Sequence, residues 1–326
     1  MRITRKCAWV IKAAAFGLTL ASLGFVAYVL SGLNYGLLAT GSFDHGRIAI
    51  SIGLLVAAEV VHAMAWAAAL RVHRLEFRFR KAASAHWLSV FAKYIPGRIW
   101  SILGRAGRIA AFGVPLGRAS IISLEVQLLS IWLGLCGCGA PFFFLLGHMA
   151  LGLVAIGLLL LGIVVLFSRR LRAVAFRLAS RLLRREFEDT QLRGRDTWSV
   201  IARLVAMWAL YCGAFALLIQ AVQPASSLLG ALVLPLAMNA GVVTLVLPAG
   251  IGAREAVMSR LLLMVGIAQD DAVAIAIAAR LWMIASEALV FLLGVLCRPR
   301  KPSARVANSQ DPREVRPRSR SNPRGS

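Results

Sequence analysis

Apolar stretches of roughly 20 residues follow one another along most of this chain, the length a helix needs to cross a bilayer core about 30 Å thick. Lipid offers the backbone no hydrogen-bond partners, so such stretches must satisfy their own N–H and C=O groups as helices. Hydrophobic residues make up 59% of the 326 and charged residues 16%, with a mean hydropathy of +0.76. A soluble domain is nearer half apolar and a quarter charged, by rough averages. The reading is an all-α polytopic membrane protein with about six crossings, near 8–30, 48–70, 119–147, 149–168, 198–221 and 272–297. The run 8–30 is too long for the apolar region of a signal peptide and lacks a persuasive cleavage site, so it counts as the first span.

Lys and Arg outnumber Asp and Glu by 37 to 14, a net charge of +23. These cations gather between the spans, at Arg2, Arg5 and Lys6, at Arg71 to Lys81, at Arg105, Arg108 and Arg118, and along 169–185. Short loops rich in Lys and Arg stay cytoplasmic, so the excess reads as topology rather than as a nucleic-acid surface. Both termini are then cytoplasmic: a basic N-terminus (1–7), a membrane domain (8–297), and a basic tail (298–326) too poor in apolar residues to fold. The internal segment 169–197 repeats Leu171, Val174, Leu178 and Leu182 at helical spacing among arginines. It fits equally an amphipathic helix on the inner leaflet and a solvated connector.

Two segments break the pattern. One reads Lys93-Tyr94-Ile95-Pro96-Gly97-Arg98-Ile99-Trp100, the other Leu247-Pro248-Ala249-Gly250-Ile251-Gly252-Ala253-Arg254-Glu255. The first has basic flanks on both sides, so it returns to the face it came from as a hairpin or re-entrant loop. Irregular backbone survives at membrane depth only where protein or a wet cavity satisfies it. Broken segments in corresponding halves of a chain mark a binding site shared near the midplane, as in inverted-repeat transporters. Pro96, Gly97, Pro248, Gly250 and Gly252 are the expected structural breaks.

Charges inside apolar spans are costly, about 2.5–3.5 kcal/mol each on insertion scales, and mark candidate sites. They are Glu59 beside His62, Glu125, Arg254 with Glu255, and Arg280 with Glu287. Such residues can simply pair, Arg254 with Glu125 or Arg280 with Glu255. The sharper reading makes Arg98, Arg254 and Arg280 ligands of a phosphate, which a guanidinium fork suits. Glu125, Glu255 and Glu287 then act as counter-ions of the empty site. A helix restarting after each break adds free N–H groups for an anion. The histidines, His45, His62, His73, His86 and His148, show no metal-ligand spacing, and Glu59-x-x-His62 lacks a second copy. Cys7, Cys136, Cys138, Cys212 and Cys297 show none either. No metal, cofactor or enzymatic chemistry is expected.

The run Lys93–Arg98 and the run Pro248–Glu255 resemble the transmembrane domain of the lysylphosphatidylglycerol synthases, a family that includes stand-alone flippase-like bacterial membrane proteins. The likeness extends over about 8–297, with Ala249 where a further Gly is expected, and no soluble aminoacyl-transferase domain follows it. The resemblance implies a multi-pass protein of the bacterial inner membrane that binds and translocates an anionic phospholipid or polyprenyl-linked lipid. The alternative is a non-transporting accessory subunit with a glycosyltransferase partner for lipid-linked glycans.

Overall fold

The structure is a computed structural model that describes residues 44–94, 99–168, 170–171, 195–224, 226–243 and 252–298. The expected first span, Pro96, Gly97, Arg98, Pro248, Gly250, most of the 169–197 connector and the tail lie outside the described residues.

Among the described residues the chain is helical, with no strand. It begins with the long helix α1 (His45–Val72), followed by the short α2 (Phe79–Trp87), a 3₁₀ turn (Val90–Tyr94) and α3 (Ile99–Ala110). Helix α4 (Leu116–Trp132) runs through a π-helical turn (Leu133–Gly137) into α5 (Cys138–Leu145), and α6 (Met149–Phe167) follows. The rest comprises α7 (Arg195–Val222), a second 3₁₀ turn (Leu228–Leu232), α8 (Val233–Val243), α9 (Ala253–Met264) and α10 (Gln269–Leu296). Five helical stretches, α1, α4–α5, α6, α7 and α10, are long and apolar enough to cross a membrane. The fold is therefore polytopic and all-α.

Short helices flank each expected break, making two broken pairs, α2 with α3 and α8 with α9. These helices hold 9, 12, 11 and 12 residues. At a rise of 1.5 Å per residue each reaches only about 13–18 Å, half of a bilayer core. The chain thus repeats one order: a long helix, a broken pair, a long helix. The first unit is α1, α2–α3, α4; the second is α7, α8–α9, α10.

Helices α1 and α7 form the most extensive packed pair. Small side chains let their backbones approach, with Ala58 and Ala65 of α1 and Ala214 of α7 fully buried. Ser51 Oγ donates across to the Ala214 carbonyl at 2.8 Å, and Arg47 donates to the Gln220 carbonyl at 3.0 Å. Helix α6 is the opposite case, with Gly152 its buried residue and Leu151, Leu153, Leu158 and Leu160 exposed. That surface suits lipid.

The π turn in α4–α5 has a local cause. Pro141 lacks an N–H and crowds the carbonyl four residues earlier, that of Gly137. A wider turn ending at Gly137 accommodates both defects. The turn also presses Gly134 against α7 and α8: a Cβ there would overlap Asn239 Nδ2 and sit 2.7 Å from Trp208. Gly134→Ala should therefore cost about 1–3 kcal/mol through overpacking, read as a lower Tm in detergent. An unchanged Tm would show that Trp208 and Asn239 yield freely.

Candidate functional site

A cavity of about 380 Å³ lies where the two broken pairs meet. Its wall includes residues from α1, α2, α3, α4, α7, α8, α9 and α10, and from the first 3₁₀ turn. Its depth follows from the helices that bear it. Glu59 is near the middle of the 28-residue α1, and Arg280 and Glu287 flank the middle of the 28-residue α10.

One pole of the cavity is cationic. Arg254 stands in the first turn of α9 and is only 6% exposed. Its Nε and one terminal nitrogen, both buried, have no hydrogen-bond partner in the structure. Gly252 precedes it at φ +85°, a left-handed conformation that disfavours any side chain. The Gly252 N–H donates to Glu255 Oε2 at 2.8 Å, so Glu255 caps α9. Glu255 Oε1 faces Arg280 at 3.7 Å, one of the pairings considered from the sequence. The Arg280 guanidinium also lies over the Tyr94 ring, 5.2 Å from its centroid. Lys93 and Tyr94, just before the first break, both donate to the buried carboxylate of Glu287, Tyr94 at 2.9 Å. Residues from both breaks therefore meet on α10.

The other pole is built around Glu59. Tyr211 donates to its Oε1, and His86 Nε2–H donates to its Oε2 over 3.4 Å. Arg105 holds His86 from behind, donating to Nδ1 at 3.1 Å. It also donates to Ser123 Oγ at 2.9 Å and to the Ser123 carbonyl, while stacking on Trp66 4.7 Å from the ring centroid. The sequence placed Arg105 in a basic loop with Arg108 and Arg118. It is instead 4% exposed and part of the cavity wall. Position in the chain could not separate it from Arg108, one helical turn further on and only partly buried.

Two of the five histidines, for which the sequence shows no metal-ligand spacing, come together: His62 and His86 meet edge to face with centroids 4.4 Å apart. Ligand atoms of Glu59, His62 and His86 lie within 4.8 Å of one another, a spacing open to a metal ion. The donor chemistry argues otherwise. A metal-bound histidine offers its other N–H to an acceptor, whereas His86 Nδ1 faces a guanidinium donor. The arrangement is a directed hydrogen-bond chain from Arg105 through His86 to the Glu59 carboxylate.

The sequence-derived residues thus divide. Arg254, Arg280 and Glu287 line the cavity, and Glu255 backs Arg280. Glu125 does not line it. Its neighbours on α4, Leu124 and Gln127, face the cavity, while Glu125 pairs with His73 Nε2 at 2.8 Å at the end of α1. The pairing of Arg254 with Glu125 considered from the sequence is therefore replaced by one with His73. A turn of about 100° per residue separates these α4 neighbours. Lys93, Tyr94, His86, Arg105 and Tyr211 were not singled out. Lys93 and Tyr94 offered one signal, a cation and an aromatic just outside a helix break, and the other three offered none.

Buried charges around a largely apolar chamber, carried on helices long and apolar enough to cross a membrane, define a polytopic membrane protein with charged groups in its interior. Residues 9–294 match the family model of the lysylphosphatidylglycerol synthase TM region, and the chain belongs to that family. No curated protein and no solved structure matches it.

Removing one partner of a buried charge pair costs about 3–5 kcal/mol, because the other charge is left uncompensated. Arg105→Met should destabilise the protein by about that much, and adding Glu59→Gln should recover a large part of it. Thermal unfolding of the two single variants and the double variant checks this. Strictly additive losses would show that the two charges do not balance each other.

Proposed function

We propose that this protein binds the phosphate of an anionic lipid in the central cavity and moves it between leaflets. The observation that carries the reading is Arg254: a buried guanidinium on the cavity wall with two nitrogens lacking partners. Leaving such a group buried is costly, and a phosphate oxygen pair is the acceptor whose geometry it fits. Arg280 and Lys93 are the supporting cations; Glu255 and Glu287 hold them while no anion is bound. The position of Arg254 in the first turn of α9 adds the helix N-terminus to the same field.

The volume suits a head group rather than a whole lipid, lying toward the small end of roughly 300–1,000 Å³ for ligand pockets. The acyl or prenyl chains would then remain in the bilayer while the head group crosses. Rocking of one helical unit against the other would expose the cavity to each leaflet in turn. In this reading the protein sits in a bacterial inner membrane with both termini in the cytoplasm, and it makes and breaks no covalent bond.

The test is movement of a fluorescent phosphodiester lipid across vesicles containing the purified protein, followed by an impermeant quencher. A charge-assisted hydrogen bond contributes about 1.5–3 kcal/mol, so Arg254→Ala should slow movement by roughly 10–150-fold while inserting normally. Arg260→Ala, on the exposed face of α9, serves as the control and should leave movement unchanged. Equal rates for Arg254→Ala and the parent protein would refute the assignment. Binding without movement in the parent protein would turn the reading toward an accessory subunit that presents lipid to a glycosyltransferase.

A further inference from the structure

The Glu59 pole contains one group that the phosphate reading leaves unused. His62 lines the cavity with Nδ1 3.9 Å from Glu59 Oε2, and its Nε2 is buried without a hydrogen-bond partner. Either neutral tautomer leaves Nε2 without a partner while the cavity is empty. With the proton on Nδ1, that N–H faces Glu59 but Nε2 has no donor. With the proton on Nε2, the Nδ1 lone pair faces a carboxylate and the N–H has no acceptor. The doubly protonated ring has one N–H for Glu59 and a second donor, with a full charge, for an anion.

The groups packed around His62 single it out as a proton acceptor. Glu59, on the same helix, already accepts from Tyr211 of α7 and His86 of α2. His86 cannot take a second proton without losing its bond from Arg105 of α3. Lys93, in the first 3₁₀ turn, pairs with Glu287, and its positive charge and that of Arg105 oppose a second proton on His62 until an anion enters.

The charge on the described wall residues bears on how many negative charges the site neutralises. Among the described residues Lys93, Arg105, Arg254 and Arg280 face Glu59, Glu287 and, behind Arg280, Glu255. One positive charge is left over. A singly charged phosphodiester neutralises it with nothing further required. A phosphate monoester, with two negative charges once fully ionised, overshoots by one.

We propose that His62 is a proton-binding site that admits a doubly charged phosphate monoester, one proton entering the cavity with each such head group. The inference rests on the cavity being a phosphate site. It narrows the guest to a class, a lipid ending in a monoester phosphate, and makes that lipid a proton-coupled substrate. Linkage then requires proton and anion to strengthen each other's binding.

Proton uptake is measured with a pH-indicator dye in weakly buffered detergent solution near pH 8. A phosphate monoester, with a second pKa of about 6, is already dianionic there. The probes are short-chain phosphatidic acid, short-chain phosphatidylglycerol as the diester, and methyl phosphate to separate the head group from its lipid chains. Binding of the phosphatidic acid should withdraw about one proton per molecule bound, and its affinity should weaken about tenfold per pH unit above that point. The diester should bind with no uptake. Methyl phosphate, if it binds, should also withdraw a proton, and its failure to bind would assign the site to lipid alone. His62→Gln and His62→Asn should abolish the uptake and flatten the pH dependence. Where neither variant folds, the monoester–diester contrast in the parent protein decides. Monoester binding without uptake, uptake that survives the His62 variants, or uptake with the diester would overturn the proton site and leave the phosphate site standing. No binding of any probe would overturn both.

Discussion

A charge taken out of water into a membrane protein must find an opposite charge, a dense set of hydrogen bonds or a ligand, because the penalty runs to several kcal/mol per ion. The centre of this molecule is a set of answers to that constraint. Glu59 is held by Tyr211 and His86, with Arg105 behind them. Glu287 is held by Lys93 and Tyr94, and Arg280 by Glu255 and the Tyr94 ring. Arg254 keeps two buried nitrogens without a partner among the described residues.

The helix breaks make such a site possible. An uninterrupted span would satisfy its backbone internally and present only side chains. A helix that stops at mid-depth and restarts presents N–H groups, a dipole end and residues from irregular backbone. Gly252 shows how closely the two roles combine. Its positive φ turns the chain into α9, and the Glu255 that caps that helix is also the carboxylate facing Arg280. Lys93 and Tyr94 do the corresponding work before the first break. Each helical unit thus contributes ligands from its broken pair, and α10 receives both sets. The chain belongs to the family of the lysylphosphatidylglycerol synthase TM region, and its match runs through both helical units.

The Glu59 cluster shows why distances alone do not identify a site. Two imidazoles and a carboxylate within reach of one ion look like a metal centre. The direction of the hydrogen bonds points elsewhere, since a guanidinium behind His86 fixes its tautomer and adds positive charge. The same network leaves His62 as the imidazole with an unpaired nitrogen.

Hydropathy alone determined the architecture: long apolar helices at 48–70, 119–147, 149–168, 198–221 and 272–297 all recur in the structure within a few residues. It also picked out Arg254, Arg280, Glu59 and Glu287, because the cost of a charge in an apolar span depends only on local sequence. Which charges meet was decided by tertiary packing. Glu125 belonged to the same list, yet its neighbours on α4 face the cavity while it turns to His73. Arg105 looked like any loop cation until α3 packed it against Trp66, Ser123 and His86. Partnership depends on the rotation and depth of one helix against another, and a single strand of sequence carries neither.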